Sequence, residues 1–215
     1  LQYGDYAVWQ RKHLAGEVLE RQLKWWREQL AGAPAVLELP ADRARPAVQS
    51  FRGGHYRFRL GEGLEGVLEE LKRREGVTLF MVLLGVYQVL LARYTGEEDI
   101  SVGTVVANRG RGEVEGLLGF FVNTLVLRTQ LGGDPTFREV LGRVREVCLG
   151  AYAHQEAPFE GLVEVLAPER DLSHAPLFQV MLVVNQGQRE GLEVGGLRLE
   201  GVETESGTSR FDLTW

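Results

Sequence analysis

Ile100-Ser-Val-Gly-Thr-Val-Val-Ala107, then Val122-Asn-Thr-Leu-Val-Leu-Arg-Thr-Gln130, then Asp134-Pro-Thr-Phe-Arg-Glu-Val-Leu-Gly-Arg-Val-Arg-Glu-Val-Cys148 form the stretch whose reading decides the fold. The first two segments are rich in β-branched residues, lack proline and end in turn-forming sequence, so they read as strands. In the third, Phe137, Val140, Leu141, Val144, Val147 and Cys148 recur at helical spacing. Asp134-Pro135-Thr136 supplies the start signal for that helix. Between the two strands, Asn108 to Leu118 holds three glycines and two arginines and reads as a loop.

Working outward, Leu19, Leu23, Trp26 and Leu30 place an amphipathic helix over Glu17 to Leu30, closed by Ala31-Gly32 and Pro34. A linker rich in Pro, Ala and Arg follows from Ala33 to Arg52. Gly54 to Leu60 alternates like a half-buried strand, and Leu64, Val67, Leu68 and Leu71 then mark a helix. Val77 to Ala92 is shorter than the ~20 residues needed to cross a bilayer and carries Thr78, Tyr87 and Gln88, so it reads as a core helix. Downstream, Pro158 opens a short helix through Leu166, because proline is tolerated in a first turn. Phe178 to Asn185, Leu197 to Val202 and Phe211 to Trp215 are strand candidates; the last breaks off in mid-pattern, which predicts a sheet continuing past Trp215. Strands interleaved with amphipathic helices argue for an α/β layered domain with a mixed sheet.

Composition removes several classes. With 215 residues, 44% hydrophobic, the chain can bury a core. A net charge of −6 argues against a nucleic-acid surface. The single cysteine, Cys148, excludes an internal disulfide framework and any multi-thiolate metal site; it fits a cytoplasmic setting. No secretory leader pattern opens the chain, and the absence of an initiator Met suggests an excised piece. There is no Gly-x-Ser-x-Gly, Walker loop, His-x-x-x-His pair or dinucleotide glycine signature, and His13, His55, His154 and His174 are scattered.

Four segments nevertheless stand in a telling order: Tyr3-Gly-Asp-Tyr-Ala-Val-Trp9, Leu118-Gly-Phe-Phe-Val-Asn-Thr124, Ala153-His-Gln-Glu-Ala-Pro-Phe-Glu160 and Arg170-Asp-Leu-Ser-His-Ala-Pro-Leu-Phe-Gln-Val180. Thr104-Val-Val-Ala-Asn-Arg109 lies between the first two. Each alone is ordinary turn or helix-end chemistry. Together, over nearly the whole chain, they closely resemble the later signature motifs of condensation domains of nonribosomal peptide synthetases. The resemblance implies a chloramphenicol acetyltransferase-like lobe, a mixed β-sheet packed against helices and truncated at both ends. Residues 1–32 would be a lobe-junction segment and first helix, and 33–215 an incomplete C-terminal lobe.

Such domains join a carrier-bound donor aminoacyl or peptidyl thioester to a carrier-bound acceptor amine in a tunnel between two lobes. The resemblance implies as partners the upstream and downstream peptidyl carrier domains, the N-terminal lobe and an adjacent adenylation domain. It implies no directly bound cofactor, since phosphopantetheine arrives on the carriers, and no metal. The family's reactive His-His-x-x-x-Asp-Gly motif is absent from this sequence and is expected upstream of Leu1, so no catalytic residue is assigned here. Asn123 would face the tunnel and bond substrate or the pantetheine arm, or else bond neighbouring backbone at a strand start. Asn108 and Arg109 would floor the tunnel, with Arg109 pairing across lobes, near the acceptor carrier, or only with solvent. His154 and Gln155 would serve as structural hydrogen-bonding groups at a helix end. Arg170 and Asp171 would organise the turn before Phe178, and Tyr6 and Trp9 would pack near the lobe junction. Val105 stands where such domains often carry proline. The alternatives are an epimerization domain of the same fold, which these motifs resemble less, and a non-catalytic docking scaffold for carriers.

Overall fold

Strand β1 (Asp99–Val106) runs antiparallel to β2 (Asn123–Gln130), in register from Asp99 opposite Gln130 to Val106 opposite Asn123. The computed structural model describes residues 1–61, 63–166, 171–185, 192–195, 197–199 and 206–215. On its other side β1 pairs in parallel with β3 (Val180–Met181), and β3 pairs in parallel with β6 (Leu213–Thr214), so the mixed sheet is ordered β2-β1-β3-β6. A separate hairpin joins β4 (Leu192–Val194) and β5 (Leu197–Leu199).

Ile100, Val102, Leu125, Val126 and Leu127 are all fully buried, so the centre of the sheet is covered on both faces. That explains why these strands read as continuous apolar runs without polar alternation. Helix α4 (Leu79–Thr95) packs against α3 (Leu64–Glu75), α6 (Phe137–Ala153) and β1, while α6 also lies on β2. Thr78 Oγ1 accepts from Met81 N at 3.2 Å to start α4, and Gly96, at φ 77°, ends it. Thr136 and Glu139 close a reciprocal capping box at the head of α6. No single helix among the described residues is long and apolar enough to cross a membrane, and α4 turns Met81, Val82, Leu84 and Tyr87 into the core.

Helix α2 (Glu17–Leu30) coincides with the sequence reading and buries Gln22, Leu23, Trp26 and Leu30. It packs on α7 (Phe159–Leu166). Its C-terminal carbonyls are capped by Arg128 of β2, which donates to Gln29 O at 3.1 Å and Ala31 O at 2.8 Å. The same guanidinium clamps Asp99 at 2.9 and 2.7 Å, joining helix end, β2 and β1 in one polar knot. The 33–52 segment is strapped across the sheet edge. Gln179, itself buried, accepts from Leu37 N at 2.7 Å and donates to Ala35 O and Ala175 O. Arg45 clamps Asp212, and Gln49 donates to Arg210 O.

Several expectations are corrected. Among the described residues Gly54 to Leu60 pairs with no strand, the single antiparallel bridge Arg52–Thr208 lying just before it, and Tyr56 is 88% exposed. Alternation alone does not make a strand when no ladder partner lies alongside among the described residues. The expected strand over Phe178 to Asn185 narrows to Val180–Met181, and that over Phe211 to Trp215 to Leu213–Thr214. Of Leu197 to Val202, residues 200–202 lie outside the described residues. Tyr3 to Trp9 belongs to an unforeseen helix, α1 (Tyr3–His13), and the 108–118 loop contains the four-residue α5 (Gly112–Glu115).

Candidate functional site

Helix α1 presents a row of aromatic side chains one turn apart to the 108–121 loop. Tyr3 OH donates to Phe120 O at 2.8 Å, and its ring occupies the space that a Cβ on Gly119 would need. Tyr6 stands 4.7 Å from the Phe121 ring. Burial, with Glu156 nearby, raises the Tyr6 phenol above its ordinary pKa, and Arg111 partly offsets this. Trp9 stacks on His13 at 4.7 Å and lies beneath the Arg111 guanidinium at 4.2 Å. His13 in turn approaches Glu156 at 3.4 Å.

Arg109 turns inward. It donates to the carbonyls of Val114, Glu115 and Leu117, and its guanidinium sits 4.2 Å over Phe121. It therefore holds the end of α5 and the following turn in shape. Asn108, at φ 51°, begins that loop in a left-handed conformation which asparagine tolerates. It lines a small cleft of about 280 Å³ together with Tyr6, Trp9, Arg111, Gln155 and Glu156.

The Asn123 amide is fully engaged with backbone. Its Nδ2 donates to Gln155 O and Ala157 O, both at 2.7 Å, while Oδ1 accepts from Thr124 N at 2.9 Å and Phe159 N at 3.2 Å. Both N–H groups and both acceptor positions are spent, which fastens the start of β2 to the 155–159 turn. His154 bonds Gly150 O through Nδ1 at 2.8 Å, stacks face to face on Trp25 at 4.5 Å, and accepts from Trp26 Nε1 through its own carbonyl at 2.9 Å. Asp171 Oδ1 accepts from Ser173 N at 2.7 Å, and the Ser173 hydrogen bonds lower its pKa. It sits far along the fold from the aromatic row, beside Leu172 and His174. Arg170 lies outside the described residues.

The structure adds a cleft that the motifs alone did not reveal. Beyond Leu182 the arm carrying β3 leaves β1, and a cavity of about 460 Å³ opens at the fork. It is lined by Phe80 from α4, Tyr152 from α6, Thr104 to Ala107 at the end of β1, Val122 before β2, and Val183 to Asn185. Thr104 Oγ1 donates to Leu182 O at 2.9 Å at its base. Tyr152 is the one titratable residue in this lining among the described residues. Burial, aided by Cys148, pushes its phenol up to about 12, so it stays protonated at neutral pH. Of the lining residues, Thr104 opens the Thr104–Arg109 segment singled out in the sequence, while Phe80 lies within the expected 77–92 helix and Tyr152 just ahead of the Ala153–Glu160 segment, with no motif marking either. Among the described residues no His, Cys, Asp and Glu side chains cluster to hold a metal ion.

The mixed sheet thus splits at one end, and Ala107 and Val122, one from each of two of the motif segments, line the split. The chain matches the condensation domain family over residues 1–215 and belongs to it. It is 54% identical to a linear gramicidin synthase subunit of Brevibacillus parabrevis and 44% identical to malpinin synthetase of Mortierella alpina, in each case over 100% of this chain. It spans only 4% and 3% of those proteins' lengths. Among solved structures, the X-domain from teicoplanin biosynthesis superposes with a TM-score of 0.86 at 33% identity, covering 100% of this chain and 49% of that one. A four-domain nonribosomal peptide synthetase gives 0.84 at 26% identity, covering 93% and 16%.

Proposed function

We propose that this chain forms one wall of a condensation site in which a carrier-bound amine attacks a carrier-bound thioester, giving an amide and a free carrier thiol. The observation that carries this reading is the family match over all 215 residues, joined to a cleft at whose mouth two of the motifs meet. Its lining offers apolar walls, one protonated phenol and backbone amides, which suits positioning of neutral reactants. The cleft-lining residues described contain no imidazole or carboxylate, and this sequence has no adjacent histidine pair. The group that takes the amine proton therefore comes from outside these residues.

Within that reading Asn123 is a positioning residue, since its amide is saturated, and Arg109 shapes the floor loop from within. Asn108 lines the smaller cleft beside α1 and not the fork, so any contact it makes with substrate would be made there. Carrier domains, an N-terminal lobe and an adenylation domain are the proposed partners, with phosphopantetheine brought in on the carriers. The test is an assay of the full-length protein with loaded donor and acceptor carriers for dipeptidyl thioester by mass spectrometry. Product supports condensation. Carrier binding without product favours a docking role instead, a second reading to which the likeness to the X-domain gives weight.

A further inference from the structure

Three of the motif segments converge away from the fork. Tyr6 and Trp9 of α1 form one wall of the cleft of about 280 Å³, Asn108 and Arg111 of the loop a second, and Gln155 and Glu156 of the turn after α6 the third. Nearby, the Asn123 amide, the Arg109 guanidinium and the His154 ring are all bonded to backbone. The polar groups of the cleft are not. Among the described residues the Tyr6 hydroxyl, the Trp9 indole N–H and the side-chain amides of Asn108 and Gln155 have no hydrogen-bond partner, although all four residues are half-buried. Half-buried donors and acceptors left in this state around a concave space are the mark of a polar ligand site.

The lining also carries one charge of each sign. Glu156 meets only the half-exposed His13, at 3.4 Å, and Arg111 rests on the Trp9 ring with no carboxylate partner among the described residues. Beyond the effect of burial, Glu156 raises and Arg111 lowers the pKa of the Tyr6 phenol, so both charges lie within reach of that one hydroxyl. A single carboxylate offers too few oxygens to hold a divalent cation, and no metal-binding cluster stands among the described residues. A simple anion would meet Glu156 as a like charge, and an apolar guest would strip water from amides without replacing its hydrogen bonds. A small molecule with one cationic and one anionic end answers every group in the lining.

We infer that this cleft binds a free amino acid as its zwitterion, with the carboxylate on the Arg111 guanidinium, the ammonium at Glu156, and the Asn108 and Gln155 amides completing the hydrogen bonds. Its volume lies at the lower limit of small-molecule pockets, about 300 Å³, which suits one amino acid and not a peptide. Both end groups would make charge-assisted bonds, the stronger kind. An aminoacyl group held on a carrier as a thioester has no free carboxylate and matches only half of the site. The ligand is therefore an effector and not a reactant, and it needs no carrier. Bound, it would join α1, the 108–111 loop and the 155–156 turn, which otherwise meet here through the Arg111–Trp9 contact and the His13–Glu156 pair.

Modification of Arg111 by phenylglyoxal in the full-length protein, followed by peptide mass spectrometry with L-alanine as the probe, tests the inference. Protection of several-fold at millimolar L-alanine is expected. Propionate, which lacks the ammonium, and L-alaninamide, which lacks the carboxylate, should each need about tenfold more to protect equally, the loss that goes with one charge-assisted hydrogen bond. Glu156→Gln should weaken protection by L-alanine about tenfold and leave protection by propionate unchanged, a combination that a misfolded variant would not give. No protection by L-alanine, or protection undiminished in Glu156→Gln, overturns the inference. Equal protection by L-alanine and propionate would reduce the cleft to a simple anion site and overturn it as well. Arg109, whose guanidinium is already bonded to the Val114, Glu115 and Leu117 carbonyls, is the control in the same digest, and equal slowing there would mark a general effect and sink the proposal.

Discussion

Two arginines clamp aspartates with both guanidinium ends, in opposite halves of the sheet, and their surroundings differ. Arg128 and Asp99 bridge β1 and β2 with side chains only 11% and 19% exposed, and the guanidinium also caps α2. Arg45 and Asp212 tie the 33–52 segment to β6, are 25% and 21% exposed, and Arg45 Nε has no partner among the described residues. The first pair is a hub of an eight-residue ladder with helices on it; the second is a strap over two-residue strands. The β1/β2 half thus ties its charged pair into a long ladder and a helix end, even though Ser101 Oγ and Thr129 Oγ1 stay buried without a partner among the described residues, whereas the β3/β6 half leaves backbone and aromatic surface open at the fork. Rigid scaffold and receptive edge are divided along the line between β1 and β3.

The largest expected effect attacks the buried helix layer that spans both halves through pH. Burial raises the Cys148 thiol to about 12 and the Tyr152 phenol to about 12, and lifts the Tyr87 phenol further. All three are held protonated in the folded chain, while the unfolded chain releases these protons above about pH 9 for cysteine and 10 for tyrosine. Stability should therefore be intact below pH 9 and fall as pH rises toward 12, by about 1.4 kcal/mol per pH unit for each group once its unfolded value is passed. Denaturant midpoints between pH 8 and 11 measure this, and a flat profile would place these groups in looser, wetter surroundings than their burial in the structure describes.

Next, Trp26→Ala removes a fully buried ring and its bond to His154 O, and should cost about 3–5 kcal/mol in denaturant unfolding. Arg128→Ala leaves Asp99 and two helix-end carbonyls unpaired and should cost about 2–3 kcal/mol. Arg45→Ala should cost about 1 kcal/mol or less, since the strap is solvent-screened. Equal losses for the two arginines would abolish the contrast between the halves. Smallest, on the closed side, Thr136→Ala should cost about 1 kcal/mol by loss of the α6 cap, with Thr136→Ser recovering most of it.

What could be read in advance follows the same division. The α2 boundaries matched residue for residue, and β1 and α4 were placed to within a few positions, because local periodicity and caps decide such elements. The alternation of Gly54 to Leu60 is equally clear, yet a strand also needs a ladder partner, which periodicity does not report. The motifs located Asn123, but two readings of its amide stayed open until Gln155, Ala157 and Phe159, more than thirty positions away, were seen to use all of it. The fork was illegible for a similar reason. It depends on Thr104 meeting Leu182 across 78 positions, and nothing in either residue's immediate neighbours signals that meeting.

The Trp25 and Trp26 pair, set 4.7 Å apart with planes at 81°, carries a further consequence. Two indole chromophores at that separation couple excitonically, so the folded chain should show a bisignate couplet in its ultraviolet circular dichroism. Trp25 is anchored on His154 at the end of α6, and the couplet would fade as α2 peels from that helix. The chain thus carries an intrinsic optical marker for the docking of its second helix, readable without any added label.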